Sequence, residues 1–349
     1  MLADLQLKDF RCFESLTARL SDGFNFFVGP NGAGKTSILE GACVLLRLQS
    51  QRSASLAPVV RAGRQSFTVR GTFDGHVMEF RYGGLRRQLQ FDEVEQRTAA
   101  EYLRIGRVVS FANIDIEMVR GNSEPRRRYL DFVGSQIEAR YRPTLRAYER
   151  ALRSRNALLK SAQPRARELA AYDAPLQAHG TALGAMRAKL VERLAPRVAD
   201  AHLAISGSKE RIEAHFAPGN ENDFAAHLAR SQPQETRYRQ TVVGPHRDDV
   251  DLLVDGMPAQ NYASEGQQRT LALALKIAQA QIFTEEGAPP ILLLDDIFGE
   301  LDPERRNALL ATLPGGAQKL VTATSLQWRE SFAEAATYNL KDGKLEGPL

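Results

Sequence analysis

Eight consecutive residues, Gly29-Pro30-Asn31-Gly32-Ala33-Gly34-Lys35-Thr36, fit the spacing G-x-x-x-x-G-K-[ST] and are followed by Ser37. The chemistry of such a loop is phosphate binding. Its glycines let the backbone curl until several N–H groups converge on phosphate oxygens, and a helix starting there adds the positive end of its dipole. In that arrangement Lys35 reaches the β- and γ-phosphates of a nucleoside triphosphate such as ATP, and the Thr36 hydroxyl ligates Mg2+. A second, acidic element must complete the metal site. The apolar run Ile291 to Leu294 ends in Asp295-Asp296, and a buried strand delivers its carboxylates at the sheet edge where the phosphate loop lies. Asp295 is the expected Mg2+ partner, through water, and Asp296 is placed to orient or deprotonate the attacking water.

These residues need elements to hold them. Leu2, Leu5 and Leu7 alternate with polar residues, and Phe24 to Val28 is an aromatic and β-branched run ending at the loop, so two strands open the chain. Residues 35–48 read as a helix, with Ile38, Leu39, Ala42, Leu45 and Leu46 at helical spacing. Short alternating runs at Phe67 to Val69, Val77 to Phe80 and Gln88 to Phe91, punctuated by Asp74-Gly75 and Gly83-Gly84, predict an antiparallel meander. Val108 to Phe111 is a further strand. From Ser123 to Ala204 glycine is sparse and Arg, Ala, Leu and Glu dominate, which predicts several helices broken near Pro143, Pro164 and Pro196. Strands are expected again at Thr241-Val242-Val243, Val250 to Val254, Ile291 to Leu294, Leu320 to Thr322 and, weakly, Tyr338 to Leu340, with helices over Glu265 to Phe283 and from Pro303. This order predicts an α/β head split in sequence by a helical arm: 1–112 with the phosphate loop, 113–240 as arm or lid, and 241–349 as the rest of the head.

Ser264-Glu265-Gly266-Gln267 precedes the long helix near Asp295. Read plainly it is a helix cap, with Ser264 capping and Gln267 three residues on. The other reading is a second phosphate-binding helix start that serves a different nucleotide, because the first is already held by Lys35. These residues resemble the signature motif of ABC-type ATPases, and Glu300-Leu301-Asp302 resembles the loop after their acidic pair. Gly244-Pro245-His246-Arg247-Asp248-Asp249, together with the run from Ser264 through Gly266-Gln267-Gln268-Arg269-Thr270-Leu271, is similar to the RecF family of bacterial recombination mediators. So are Leu7 to Phe13, Arg126 to Asp131, and Tyr148 through Arg155-Asn156 to Leu159, which extends the resemblance over essentially the whole chain.

The resemblance implies an ABC/SMC-type P-loop ATPase head with an inserted helical lid. It implies an ATP-clamped homodimer in which the signature (Ser264, Gly266, Gln267) of one copy closes on the γ-phosphate held by the other, with Asp302 also binding nucleotide. It also implies loading at junctions of single- and double-stranded DNA in repair, and work with the RecR and RecO mediators. By the same analogy Arg11 lies near the nucleotide, and Arg52 follows the first helix where an arginine can approach phosphates. Departures from the family pattern bear on rate. Asn113 replaces a proline while Asp115 is kept, no glutamine corresponds to the Mg2+-ligating one of transporters, and Thr324 stands where transporters carry a switch histidine. Asp296 replaces the usual glutamate, one methylene shorter, so slow hydrolysis is expected.

With 349 residues, 43% hydrophobic and 25% charged, the chain is neither disordered nor a disulfide-stapled mini-fold. Its two cysteines, Cys12 and Cys43, form no metal-binding cluster and suit a reducing cytoplasm. No apolar run approaches the roughly 20 residues of a membrane span, and the amino terminus lacks a signal-peptide pattern. The formal charge of +4 conceals a concentration: from Arg120 to Lys160 eleven basic residues face four acidic ones. Arg142, Arg146, Arg150 and Arg153 recur at helical spacing as a stripe able to follow a DNA backbone without reading sequence. Other classes fit less well. A transporter energy subunit would carry the switch histidine, and an ATPase-linked nuclease would need a cleavage domain, whereas about 45 residues follow Asp302.

Overall fold

The computed structural model describes residues 1–53, 55–84, 86–161, 166–287, 289–325 and 335–348. Two compact units emerge: residues 1–114 with 283–349, and residues 115–282. The second boundary lies beyond the 240/241 position that the sequence suggested. The reason is strand pairing: Asp249–Val254 is antiparallel to Ile212–Ala217 and Met257–Pro258, so the chain after residue 240 completes the sheet of the inserted unit.

The first unit carries two six-stranded sheets. One is antiparallel, built from Leu2–Phe10, Phe13–Arg19, Phe67–Phe73, His76–Gly83, Arg86–Phe91 and Val94–Glu95. The other is mostly parallel, in spatial order Lys344–Glu346, Ala336–Lys341, Phe24–Val28, Lys319–Ala323, Ile291–Asp295 and Val108–Ala112. The helix Lys35–Arg47 packs against both, which is why nearly all of its residues are buried. Leu7 of the antiparallel sheet lies directly over Gly41, and Leu45 over Gly71, where a β-carbon would collide.

Phe13–Arg19 was not legible as a strand. Its turn from the first strand contains no glycine or asparagine; instead Arg11 itself adopts φ 53°, and the outward residues Glu14, Ser15 and Thr17 dilute the apolar alternation.

The second unit is helical around a three-stranded sheet: Ser123–Ile137, Tyr141–Leu159, Ala166–Ser206, Phe224–Tyr238 and all but the last turn of Glu265–Glu285. Pro143 does not break a helix, because it sits in the first turn of Tyr141–Leu159, where its missing N–H has no intrahelical partner to lose. Pro196 does not break one either. The 41-residue helix runs through Pro175 and Pro196, held by the buried Leu190, Val191, Leu194, Val198 and Ala201 along its length. Pro164 lies outside the described residues. Thr241-Val242-Val243 is not a strand: the Thr241 and Val242 N–H groups donate to Asn156 Oδ1 and Glu235 Oε1, at 2.7 and 3.3 Å, so side chains of two helices take the place of a sheet partner.

Candidate active site

Strand Phe24–Val28 runs into the phosphate loop and helix Lys35–Arg47 leaves it. Gly34 has φ +104°, and a β-carbon there would lie 2.6 Å from Cys12 Sγ and 2.7 Å from Phe13, so the turn between the first two strands backs the loop. Gly29 is required for a different reason: a β-carbon would lie 2.2 Å from the Leu340 carbonyl of the neighbouring strand. Pro30, Asn31 and Gly32 are exposed and Ala33 is half-buried, while Ser37 is buried with its N–H on the Gly34 carbonyl at 2.9 Å. Lys35 Nζ folds back to donate to the carbonyls of Gly29 (2.7 Å) and Pro30 (3.0 Å). Burial lowers the pKa of its ammonium, and the carboxylates of Asp296 and Asp295 oppose that shift.

The acidic pair meets the loop across one intervening strand. Lys319–Ala323 lies between Phe24–Val28 and Ile291–Asp295, and Thr322, in register with Asp295, bridges the gap. Asp295 Oδ1 accepts the Thr36 and Thr322 hydroxyls, both at 2.8 Å, and Thr322 Oγ1 accepts the Asp296 N–H at 2.9 Å. Asp296 holds φ +53°, in the left-handed region that aspartate tolerates better than most residues other than glycine. Its carboxyl pKa is raised by burial, against the pull of Lys35 and with the repulsion of Asp295. Thr36 and Asp295 therefore offer two hard oxygens within one hydrogen bond of each other, a set that suits Mg2+. That ion takes one or two protein oxygens and completes its shell with phosphates and water. Sequence reasoning missed Thr322; the signal was a hydroxyl at the end of a buried apolar strand.

Arg11 lies beside the loop, but its guanidinium is occupied by protein. Nε and Nη2 donate to the two oxygens of Glu40 at 2.7 Å each, and Nη1 donates to the Pro58 carbonyl at 2.7 Å. Glu40, buried on the first helix, also accepts the Ser50 hydroxyl at 2.5 Å. It is the other residue the sequence reading missed, and a lone acid inside Ile38-Leu39-Glu40-Gly41-Ala42 was the available sign. Arg52 is exposed, with its N–H on Ser50 Oγ at 3.0 Å. Thr324 is exposed just past its strand.

A strand–loop–helix phosphate site beside an acidic strand end defines a broad class of proteins, and comparison narrows it. Residues 1–340 match the family model described as RecF/RecN/SMC N terminal domain. The chain is 39% identical to the DNA replication and repair protein RecF of Symbiobacterium thermophilum, with 93% of this chain and 92% of that one covered. It is 31% identical to that of Lactococcus lactis subsp. cremoris, at 99% and 98% coverage.

The chain belongs to the RecF family. Among solved structures, the RecF recombination mediator described with ATP in the RecFOR pathway superposes with TM-score 0.89 at 28% identity, covering 99% of this chain and 96% of that one. An Smc head bound to a winged-helix domain of ScpA, at TM-score 0.56 and 16% identity, shares the fold. The architecture is thus an α/β head of the RecF and SMC kind, with a helical unit inserted in its sequence.

The segment that resembles the signature is a reciprocal cap. Ser264 N–H donates to Gln267 Oε1 at 2.6 Å, and Gln267 N–H donates to Ser264 Oγ at 3.3 Å, at the start of helix Glu265–Glu285. The Ser264 hydroxyl proton is not used in that cap, and Gly266 follows half-buried. Asp302 caps helix Pro303–Thr312 through Arg305 N–H at 2.8 Å.

Arg142, Arg146, Arg150 and Arg153 share one helix whose buried side is Tyr141, Tyr148, Ala151, Arg155 and Leu159. By helical geometry the stripe lies roughly opposite that side. Arg146, Arg150 and Arg153 are exposed, Arg142 is half-buried, and Arg153 lies 3.7 Å from Glu149. Two other cations of the segment are structural. Arg126 makes two bonds to Asp249, at 2.6 and 2.9 Å, and Arg155 bonds Asp173, Thr241 and Glu235 at 2.8, 2.9 and 2.7 Å.

Within Gly244 to Asp249, Asp248 and His246 are internal struts. Asp248 is buried, accepting from Arg187 and from Gly219 N–H at 2.8 Å each. His246 takes the Tyr148 hydroxyl on Nδ1 at 2.7 Å and meets the Thr241 carbonyl through Nε2 at 2.9 Å.

Proposed function

We propose that this chain is an ATP-dependent DNA-binding clamp of replication and repair, a weak DNA-stimulated ATPase that helps load a recombinase together with RecR and RecO. The observation that carries the reading is the joined cluster of Thr36, Asp295, Thr322 and Asp296 beside Lys35. Loop N–H groups bind the phosphate oxygens, and Lys35 exchanges the Gly29 and Pro30 carbonyls for the β- and γ-phosphates. Thr36 and Asp295 would hold Mg2+, which would supply positive charge against the charge of the phosphates. Asp296 takes a proton from water as the water oxygen bonds to the γ-phosphorus and the bond from γ-phosphorus to the bridging oxygen breaks; ADP leaves with that oxygen.

The unit of residues 1–114 and 283–349 serves as the ATPase head. The unit of residues 115–282 presents the signature and the arginine stripe. Two copies close head to head so that Ser264, Gly266, Gln267 and Asp302 of one contact the nucleotide of the other, and slow hydrolysis times release from DNA junctions. The working place is the cytoplasm, at the nucleoid. The relatives described with ATP and in the RecFOR pathway support the ligand and the partners. Among the described residues no helix is long and apolar enough to cross a membrane.

The test is Asp296→Asn. It should retain ATP binding and ATP-dependent dimers while steady-state phosphate release falls by about 100-fold, in the range of a lost general base. Turnover within about twofold of the parent would remove Asp296 from the mechanism.

A further inference from the structure

The signature cap of Ser264 and Gln267 is itself held from one side. Gln267 Nε2 donates to Glu210 Oε1 at 2.7 Å, while Gln267 Oε1 accepts the Ser264 N–H at 2.6 Å. Both bonds require the same orientation of the amide, and turning it over would lose both. Glu210 therefore selects the orientation that the cap needs.

Glu210 belongs to the segment that ends the 41-residue helix Ala166–Ser206. Its N–H donates to Ser208 Oγ at 3.4 Å, Ser208 N–H donates to Ser206 Oγ at 3.0 Å, and the Ser206 hydroxyl donates to the His202 carbonyl at 2.8 Å. Glu210 Oε2 also lies 3.7 Å from Nε2 of the buried His202. Toward its other end the same helix buries Leu176 and Leu183 against Tyr141, Tyr148 and Ala151 of the arginine-bearing helix. A continuous path of packed and hydrogen-bonded groups thus joins the face carrying Arg146 and Arg150 to Ser264, all within one compact unit.

We propose that Glu210 is a positioning residue for the signature, fixing Gln267 and Ser264 and relaying DNA contact on the arginine face to the surface that closes on a second copy. This rests on the reading of the signature as acting between copies. The chemistry needed at position 210 is an acceptor for an amide N–H, which glutamine also supplies and alanine does not.

Five variants decide the point, measured for ATP-dependent dimerisation by light scattering, for DNA stimulation of phosphate release and for affinity toward a fluorescent ATP analogue. Glu210→Ala should weaken dimerisation and DNA stimulation by about tenfold, the scale of one lost hydrogen bond to a charged group, with analogue affinity within about twofold because the phosphate loop lies in the other unit. Glu210→Gln should stay within about threefold of the parent, since its carbonyl still accepts from Gln267. Gln267→Glu keeps the capping box but sets two carboxylates together, so dimerisation should fall; adding Glu210→Gln should restore it at least partly. Unchanged dimerisation in Glu210→Ala, equal loss in Glu210→Gln, or no gain from the paired change would each overturn the proposal. Ser264→Arg separates the two levels. If it leaves dimers intact, the signature reading itself fails. If it abolishes dimers while Glu210→Ala does not, only the role of Glu210 fails.

Discussion

At Asp295 one carboxylate oxygen takes two hydroxyls, and the Thr322 hydroxyl in turn supports the Asp296 backbone. A residue that orients a metal ligand without touching substrate should matter nearly as much as the ligand. Thr322→Val, equal in size and lacking the hydroxyl, is expected to reduce Mg2+-dependent ATP turnover by about 10- to 100-fold while leaving the fold intact, as read by phosphate release against circular dichroism. His246 gives a second expectation. Burial lowers its pKa from 6.5 to about 4, so the native chain binds it neutral. The unfolded chain takes up that proton first, and stability is therefore full above about pH 6.5 and declines as pH falls toward about 4. The loss reaches about 3 kcal/mol by linkage. Urea titrations at pH 7.5 and 4.5 should show this difference, and His246→Gln should shrink it. The sequence disclosed the phosphate loop and the acidic pair because their chemistry fixes residue type and spacing. It left only faint signs of Thr322 and Glu40 and none of the internal role of Asp248, since each acts through a partner distant in the chain: Asp295, Arg11 and Arg187.

Among the elements, the helix Tyr141–Leu159 does two jobs. Its buried side carries Tyr148 and Arg155 into the core of the inserted unit, and its outer side carries the arginine stripe. Among the described residues no ion pair engages Arg146 or Arg150, so these two are the best placed to meet phosphate. Replacing both by alanine should weaken binding to duplex and gapped DNA uniformly across sequences. It should also reduce the slope of log K against log salt by about 2, near one per lost contact. Binding that ignores salt between 50 and 300 mM would exclude the stripe as a phosphate track. The strand Ala336–Lys341 sets another limit: Gly29→Ala forces a β-carbon onto the Leu340 carbonyl and should cost about 1–3 kcal/mol in denaturant unfolding, as overpacking does. Periodicity revealed most helices and strands, because burial on one face leaves a pattern. It failed at Pro196, where packing along a 41-residue helix outweighs one missing hydrogen bond, and at Thr241, where side-chain amides and carboxylates replace a ladder. Counting charge also overstated the arm, since Arg126 and Arg155 are neutralised by Asp249, Asp173 and Glu235 from outside the counted stretch.

Taken whole, the chain places its catalytic loop and its signature in different compact units. Residues 115–282 hold 25 Lys and Arg against 20 Asp and Glu, leaving the other unit close to neutral, so charge favours the inserted unit as the DNA side. Ser264 lies on an exposed helix start with its Oγ accepting from Gln267 N–H, so its hydroxyl proton has the chemistry to donate to a phosphate, which in the proposed clamp a second copy would bring. In the proposed clamp, such exchange between copies would make association depend on nucleotide by mass action. The most direct measurement is the mass in solution, by light scattering, with and without ATP, Mg2+ and a gapped duplex. The protein alone should scatter as the 38.7 kDa monomer and, with ATP, as twice that mass, plus the mass of the duplex when DNA is bound. Ser264→Arg should stay monomeric. A mass unchanged by ATP, or a Ser264→Arg variant that doubles as the parent does, would contradict the clamp.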